Sequence, residues 1–330
     1  MFHNLERRPG PGTETRCTRP EAAMTSQTYD DPRVRASATV LVGVDGTPGA
    51  DTALRWAAHY AARHRRELSI VLGLDLIGVS GLMGPVEAGS PSVREALRER
   101  GRQLVAEAER TARKLEPGLR ISTHLSADKA SRLLVELSAE AYAVVLGTNP
   151  HAGPPRPAGS TLLAVTAHAQ CPVIVVRPDP DGTVPESGPV VVGIDGSPVS
   201  EAAIGAAFTE ASERGAELVA VHVWSDWDFG VFLGEQAPAE LSGLEGVEEA
   251  ILAERLAGHR EKYPDVRVSH RIYVSDPADE LWEWSKTAQL IVVGNRGRGG
   301  FLGMLLGSTA HALAQSAHCP VMVVHAPKKP

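Results

Sequence analysis

Short runs of β-branched and aliphatic residues alternate along this chain with longer amphipathic stretches. Val190–Ile194 is apolar at every position save Gly193, the pattern of a strand buried on both faces of a parallel sheet. Asp195-Gly196-Ser197-Pro198 reads as a turn, and Glu201–Arg214 as a helix with Ala203, Ile204, Ala207, Phe208 and Ala211 on one side. Leu218–Trp224 predicts the next strand, Val247–Glu261 a helix and Val266–Val274 a third strand. A helix around Pro277–Lys286 and a strand at Gln289–Val293 follow. Ser308–Ala317 carries Ala310, Leu313, Ala314 and Ala317 at three- and four-residue spacing, and Val321–Val324 closes the series. Regular alternation of strand and helix favours right-handed crossovers and an open sheet covered on both faces.

The same order occurs once before. Val40-Leu-Val-Gly-Val-Asp-Gly-Thr-Pro48 matches Val190-Val-Val-Gly-Ile-Asp-Gly-Ser-Pro198 at an offset of 150, and Ala143–Gly147 matches Leu290–Gly294 at 147. Cys171–Val176 matches Cys319–Val324 at 148. So steady an offset means two whole domains rather than a short-period solenoid. Val93–Leu115 is the clearest helix of the first copy. The proline-rich stretch Arg177–Pro189 predicts the connector. The expected layout is a disordered N-terminal arm at 1–36, domain 1 at 37–178, a linker at 179–188 and domain 2 at 189–326. The arm is rich in Arg, Pro, Thr and Glu and contains nothing that must fold, so Met24 is expected as the physiological start.

Composition narrows the function classes. Hydrophobic residues make up 43% and charged residues 22%, a globular balance. The formal charge of −7, from 40 acidic and 33 basic side chains, argues against a broad nucleic-acid surface. Every apolar run is strand-sized, far below the ~20 residues of a membrane span, so no membrane insertion is expected. Three cysteines cannot all pair. Cys171 and Cys319 occupy matching positions before Pro-Val strands and read as buried thiols, which suits a cytoplasmic location.

The segment with chemistry is Gly294-Asn-Arg-Gly297-Arg-Gly-Gly-Phe-Leu-Gly-Met-Leu-Leu-Gly307-Ser308, which leaves a strand and enters a helix. Glycines let backbone approach a phosphate, and a helix start at Ser308 offers amides and the positive end of a dipole. Arg296 and Arg298 bring formal positive charge. Neither a P-loop nor the Rossmann glycine pattern fits, because position 302 is Leu in the register set by Gly297 and Gly299. Asp195, at the end of the first strand, can accept hydrogen bonds from a ribose or an adenine amine at the sheet edge where open α/β folds hold ligands.

These residues resemble the universal stress protein family, in its tandem two-domain actinobacterial form. Its nucleotide signature runs Gly, two residues, Gly, nine residues, Gly, Ser or Thr; Gly294, Gly297, Gly307 and Ser308 fit it without a gap. Asp195-Gly196-Ser197 and His318-Cys319-Pro320-Val321 are similar to the family as well. The resemblance implies two doubly wound, open parallel five-stranded sheets of order 3-2-1-4-5, an adenine nucleotide alpha hydrolase-like fold, with ATP, accompanied by Mg2+, in the crevice between strands 1 and 4. It also implies that Asp195 and Gly196 meet the nucleoside, that the Val223 backbone meets the adenine, and that the loop wraps ribose and phosphates.

The first copy departs from this pattern. Asp45, Gly147, Gly159 and Ser160 remain, but Pro150 replaces the middle glycine, and Pro154, Pro155 and Pro157 remove amide donors. Its site is expected to be degenerate. The leading function is an ATP-binding regulator of stress or dormancy adaptation that works through an unidentified protein partner. The alternatives are a slow ATP hydrolase and a structural dimer module with vestigial loops. His222, His270, His311 and His318 form no metal-binding spacing, and no catalytic residue or metal ligand stands out. Trp56, Trp282 and Trp284 read as packing residues, while Trp224 and Trp227 could border a pocket. The valine-rich edges Val173–Val176 and Val321–Val324 lack the charges that protect an exposed edge and are expected to pair within one chain. Family resemblance further implies a homodimer of whole chains.

Overall fold

The computed structural model describes residues 38–75, 91–148, 160–178, 182–224, 241–297 and 306–326. The expected arm at 1–36, Cys17 and Met24 lie outside them. In the first half the strands are β1 (Thr39–Gly43), β2 (Leu68–Gly73), β3 (Ile121–Ser126), β4 (Ala141–Gly147) and β5 (Val173–Val176). They alternate with helices α1 (Pro48–Arg63), α2 (Pro91–Leu115), α3 (Ala130–Leu137) and α4 (Ser160–His168). The second half repeats the order with β6 (Val190–Ile194), α5 (Pro198–Arg214), β7 (Leu218–Trp224), α6 (Leu241–Lys262), β8 (Val268–Val274), α7 (Pro277–Ser285), β9 (Leu290–Gly294), α8 (Ser308–Ser316) and β10 (Val321–Val324). Strand β8 starts two residues later than the hydrophobic pattern predicts. Val266 is spent in a turn after α6, where its amide donates to the Tyr263 carbonyl at 3.2 Å.

Local chemistry sets the helix starts. Thr47 Oγ1 accepts from Ala50 N at 3.3 Å and Ser197 Oγ from Ser200 N at 3.2 Å, each with proline at the first helical position. Gly215 ends α5 at φ +59°, in the left-handed region that favours glycine.

The ten strands form one sheet of order β3-β2-β1-β4-β5-β10-β9-β6-β7-β8. Each half has the 3-2-1-4-5 order with parallel pairing. The two edges meet antiparallel, with Val321 opposite Val175 and Val323 opposite Val173. The expected edge pairing is therefore present, and it fuses two sheets into one. Because the junction is antiparallel, the C-terminal ends of the strands face opposite directions in the two halves, so two separate crevices open at opposite sides of the sheet.

One continuous apolar cluster covers a shared face, running from Ala53, Ala57 and Ala61 of α1 to Ala203, Ile204 and Phe208 of α5. Beside it lies a polar network that the sequence reading did not anticipate. Tyr60 Oη donates to Glu210 Oε1 at 2.7 Å, and Arg214 Nε donates to Glu210 Oε2 at 3.2 Å. His64 Nε2 stands 3.3 Å from Glu210 Oε1, with its side chain 4% exposed and that of Glu210 2% exposed. Burial would raise the Glu210 carboxyl, but the His64 contact, the Arg214 charge and the Tyr60 hydroxyl outweigh it and hold the group below its ordinary value. Burial, joined by the Glu210 charge, pushes the Tyr60 phenol well up. Cys171 and Cys319 are buried thiols, and burial pushes the Cys171 thiol up to about 12. Trp56, Trp282 and Trp284 all pack against core clusters, as expected, Trp56 doing so beside the junction of the halves.

Candidate nucleotide site

Asp195 stands just beyond β6, where the chain turns toward α5. Its Oδ1 accepts from Ser197 N at 2.9 Å, and Gly196 takes φ +74°, so the turn is fixed by its own carboxylate and by a backbone that few side chains tolerate. The other carboxylate oxygen lies against the loop that follows β9. A Cβ at Gly297 would stand 2.6 Å from Asp195 Oδ2. The fold thus brings together two residues that are 102 positions apart in the sequence, and the absence of a side chain at 297 is what permits it.

The base of that loop is pinned at both ends. Asn295 N donates to the Val324 carbonyl at 2.7 Å, and Gly307 N donates to the Asn295 carbonyl at 2.9 Å. Gly307 has φ −63° and ψ 150°, which any residue adopts, and a Cβ there would make ordinary contacts of 3.4 Å with Arg296 Cα and Asn295 O. Gly294 is tighter, since its Cβ would meet Val199 Cγ1 at 2.8 Å. Gly294 is therefore demanded by the protein's own packing and Gly297 by the present position of the Asp195 carboxylate; Gly307 is demanded by neither.

Helix α8 begins at Ser308, which is exposed, and Gly307 gives it no side-chain cap. Its first turn also lacks an acidic residue. By contrast α5 is capped by Ser197 and α7 by Asp276, which accepts from Ala278 N at 2.7 Å. The positive end of α8 thus opens beside Gly297 and Asp195 without a side-chain acceptor of its own. Arg296 is exposed at the same loop base, while Arg298 lies outside the described residues. On the neighbouring strand, His222 Nδ1 is 2.6 Å from the Ile194 carbonyl, and Val223 is paired opposite Tyr273 near the end of β7. Trp224 meets His222 edge-on at 5.6 Å, and Trp227 lies outside the described residues. One further residue escaped the sequence reading as part of this site. Arg255 of α6 ion-pairs with Glu201 and reaches the Gly196 carbonyl at 3.4 Å.

The first half builds the same turn differently. Asp45 Oδ1 accepts from both Thr47 N, at 2.9 Å, and Thr47 Oγ1, at 2.6 Å. Gly46, at φ +78°, has the Leu104 side chain packed over it, 2.9 Å from where a Cβ would stand. Gly147 is required by packing alone, because a Cβ there would lie 1.9 Å from the Gly49 carbonyl oxygen. Gly159 and the substituting prolines lie outside the described residues, and Ser160 begins α4.

The sequence profile described as Universal stress protein family matches residues 37–177 and again residues 187–325. The chain belongs to the universal stress protein family. It carries that family's domain twice. The chain is 40% identical over 291 residues to a universal stress protein of Mycolicibacterium smegmatis, covering 86% of this chain and 96% of that one. It is 37% identical over 295 residues to universal stress protein Rv2623 of Mycobacterium tuberculosis, covering 87% and 96%. Among solved structures, a universal stress protein from Archaeoglobus fulgidus aligns with a TM-score of 0.62 at 18% identity, over 86% of this chain and 97% of that one. That likeness establishes the fold. Among the described residues no helix is long and apolar enough to cross a membrane, and no three His, Cys, Asp or Glu side chains cluster as metal ligands.

Proposed function

We infer that this universal stress protein binds ATP in its second half and acts as a nucleotide-dependent regulator. The supporting observation is the meeting of Asp195, Gly297 and the side-chain-free start of α8 at the C-terminal edge of β6 and β9. A carboxylate suits the hydroxyls and amine of the nucleoside; uncapped helix amides suit phosphate oxygens. Asp195, Gly196 and Val223 would hold the nucleoside end, and Gly294, Arg296, Gly297, Arg298, Gly307 and Ser308 the phosphates, with Mg2+ accompanying them. Gly307, which the packing does not require, gains its reason from a phosphate passing over it. Residues 37–178 and 189–326 are the two units, joined by 179–188, and the first is the weaker or silent copy. Two whole chains would form a homodimer in the cytoplasm, and ATP occupancy would be read by a protein partner.

The test is calorimetric titration of the full chain with ATP, together with the nucleotide content of freshly purified protein. Binding that disappears in Gly307→Val, with the fold intact by circular dichroism, is the expected result. Full affinity in that folded variant removes the loop from the site.

A further inference from the structure

A second cleft lies away from the nucleotide crevice, at the junction of the halves. It has a volume of about 620 Å³, and none of the residues around it belongs to the Asp195 turn or to the loop after β9. Its walls come from four sources: α1, Leu115 and Glu116 at the end of α2, the connector at 182–186, and Arg214 at the end of α5. The cleft therefore exists only because the two domains are joined in one chain and their edges are paired.

The charge lining it is unbalanced. Arg55, Arg63 and Arg214 face two carboxylates, Glu116 and Glu186. Glu116 is already engaged, with Oε1 2.7 Å from His59 Nδ1. Arg214 is the informative group. Its side chain is 4% exposed, Nε is spent on Glu210 and Nη1 on Gln289 at 3.2 Å, but Nη2 is buried with no hydrogen-bond partner. A buried guanidinium donor left open is rare in a folded protein, and an oxygen acceptor from outside is what completes it. Arg63 lies close enough for the Arg214 charge to act on it: burial and then that charge lower its guanidinium below its ordinary value, against a smaller opposing pull from the Glu210 and Glu186 carboxylates. Beside them, Trp56 stacks on Tyr60 at a centroid distance of 4.8 Å and, with Val184 and Pro185, gives the cleft an apolar wall.

We propose that this cleft is a binding site for a small organic oxyanion, with a phosphate or carboxylate held by Arg214, Arg63 and Arg55 and a compact apolar body against Trp56. Occupancy ties the first half, the connector and the second half together through one ligand.

The experiment is calorimetric titration of the full chain with phenyl phosphate, benzoate and inorganic phosphate, repeated in Arg63→Ala, Arg55→Ala and Gly307→Val. Arg63 and Arg55 are exposed enough for their removal to leave the core intact. Phenyl phosphate or benzoate should bind, more tightly than inorganic phosphate. Affinity should fall about tenfold or more in Arg63→Ala, the size of one lost charged hydrogen bond, and stay unchanged in Gly307→Val. A preference between phenyl phosphate and benzoate identifies the head group. Absence of binding by all three probes at millimolar concentration overturns the proposal. Binding that survives both arginine variants, or that is lost in Gly307→Val, overturns it as well.

Discussion

Tyr60 Oη donates a 2.7 Å hydrogen bond to Glu210 Oε1 across the junction of the halves, and the two residues are 150 positions apart. That separation equals the repeat offset at the start of each copy, so equivalent positions of α1 and α5 touch at the pseudo-twofold axis. A symmetric pair there would oppose two carboxylates or two phenols. The tandem chain places a donor opposite an acceptor instead and adds Arg214 as a second donor to the same carboxylate. Tyr60→Phe should destabilise the chain by about 1–2 kcal/mol in denaturant unfolding. Glu210→Ala should cost more, about 3–5 kcal/mol, because it leaves the buried Arg214 without its anion. Equal stability of the two variants would show that Glu210 contributes nothing beyond the Tyr60 bond.

The same carboxylate sets a pH dependence. Glu210 is held below its ordinary value in the folded chain, since its three polar partners outweigh burial. A depressed carboxyl contributes stability that is complete above its unfolded pKa of about 4.3 and fades as pH falls through the folded value. The Tm difference between the native chain and Glu210→Gln should therefore be full at pH 6 and shrink steadily as the pH falls below about 4.3. A difference that grows on acidification would reverse the sign and exclude this carboxylate as a stabilising anion.

Glycine substitutions separate packing from ligand contact. At Gly147 a Cβ would lie 1.9 Å from the Gly49 carbonyl oxygen, backbone against backbone, with no side chain to swing away. Gly147→Ala should cost about 1–3 kcal/mol or more through forced separation of β4 and α1. Gly307→Ala, whose Cβ meets only contacts of 3.4 Å, should leave the Tm within a degree or two while weakening ATP binding. A large loss of Tm in Gly307→Ala would assign that glycine to folding instead.

Much of this was legible in the sequence for one reason: both halves bury strands on two faces, so the runs Val190–Ile194 and Leu290–Gly294 are apolar at every position but their glycine. The edge pairing was legible because Val173–Val176 and Val321–Val324 lack any polar guard. Burial at the junction was not. Glu210 and Arg214 sit on a helix among ordinary charged residues, and only the packing of α1 against α5 makes them interior. The tight contact at Gly297 was hidden as well, because its partner Asp195 lies a hundred residues away. Leu104 over Gly46 and Arg255 at Gly196 differ for a similar reason: each comes from a helix far along the chain, and the first turn meets hydrocarbon where the second meets a guanidinium.

That contrast yields the last prediction, one ATP site per chain. In the first half Asp45 Oδ1 is taken up by two bonds from Thr47, and the Leu104 side chain packs on the adjoining Gly46. In the second half the Asp195 carboxylate borders Gly297 and the uncapped start of α8. Asp195→Ala should weaken ATP by about tenfold to a hundredfold, the worth of a charged hydrogen bond to the nucleoside. Asp45→Ala should leave affinity unchanged and disturb only the Thr47 turn. Calorimetry of the full chain should give a stoichiometry near one, retained in Asp45→Ala. Two sites of equal affinity, or the same loss from either substitution, would mean that the Leu104 packing yields to nucleotide and that both crevices are functional.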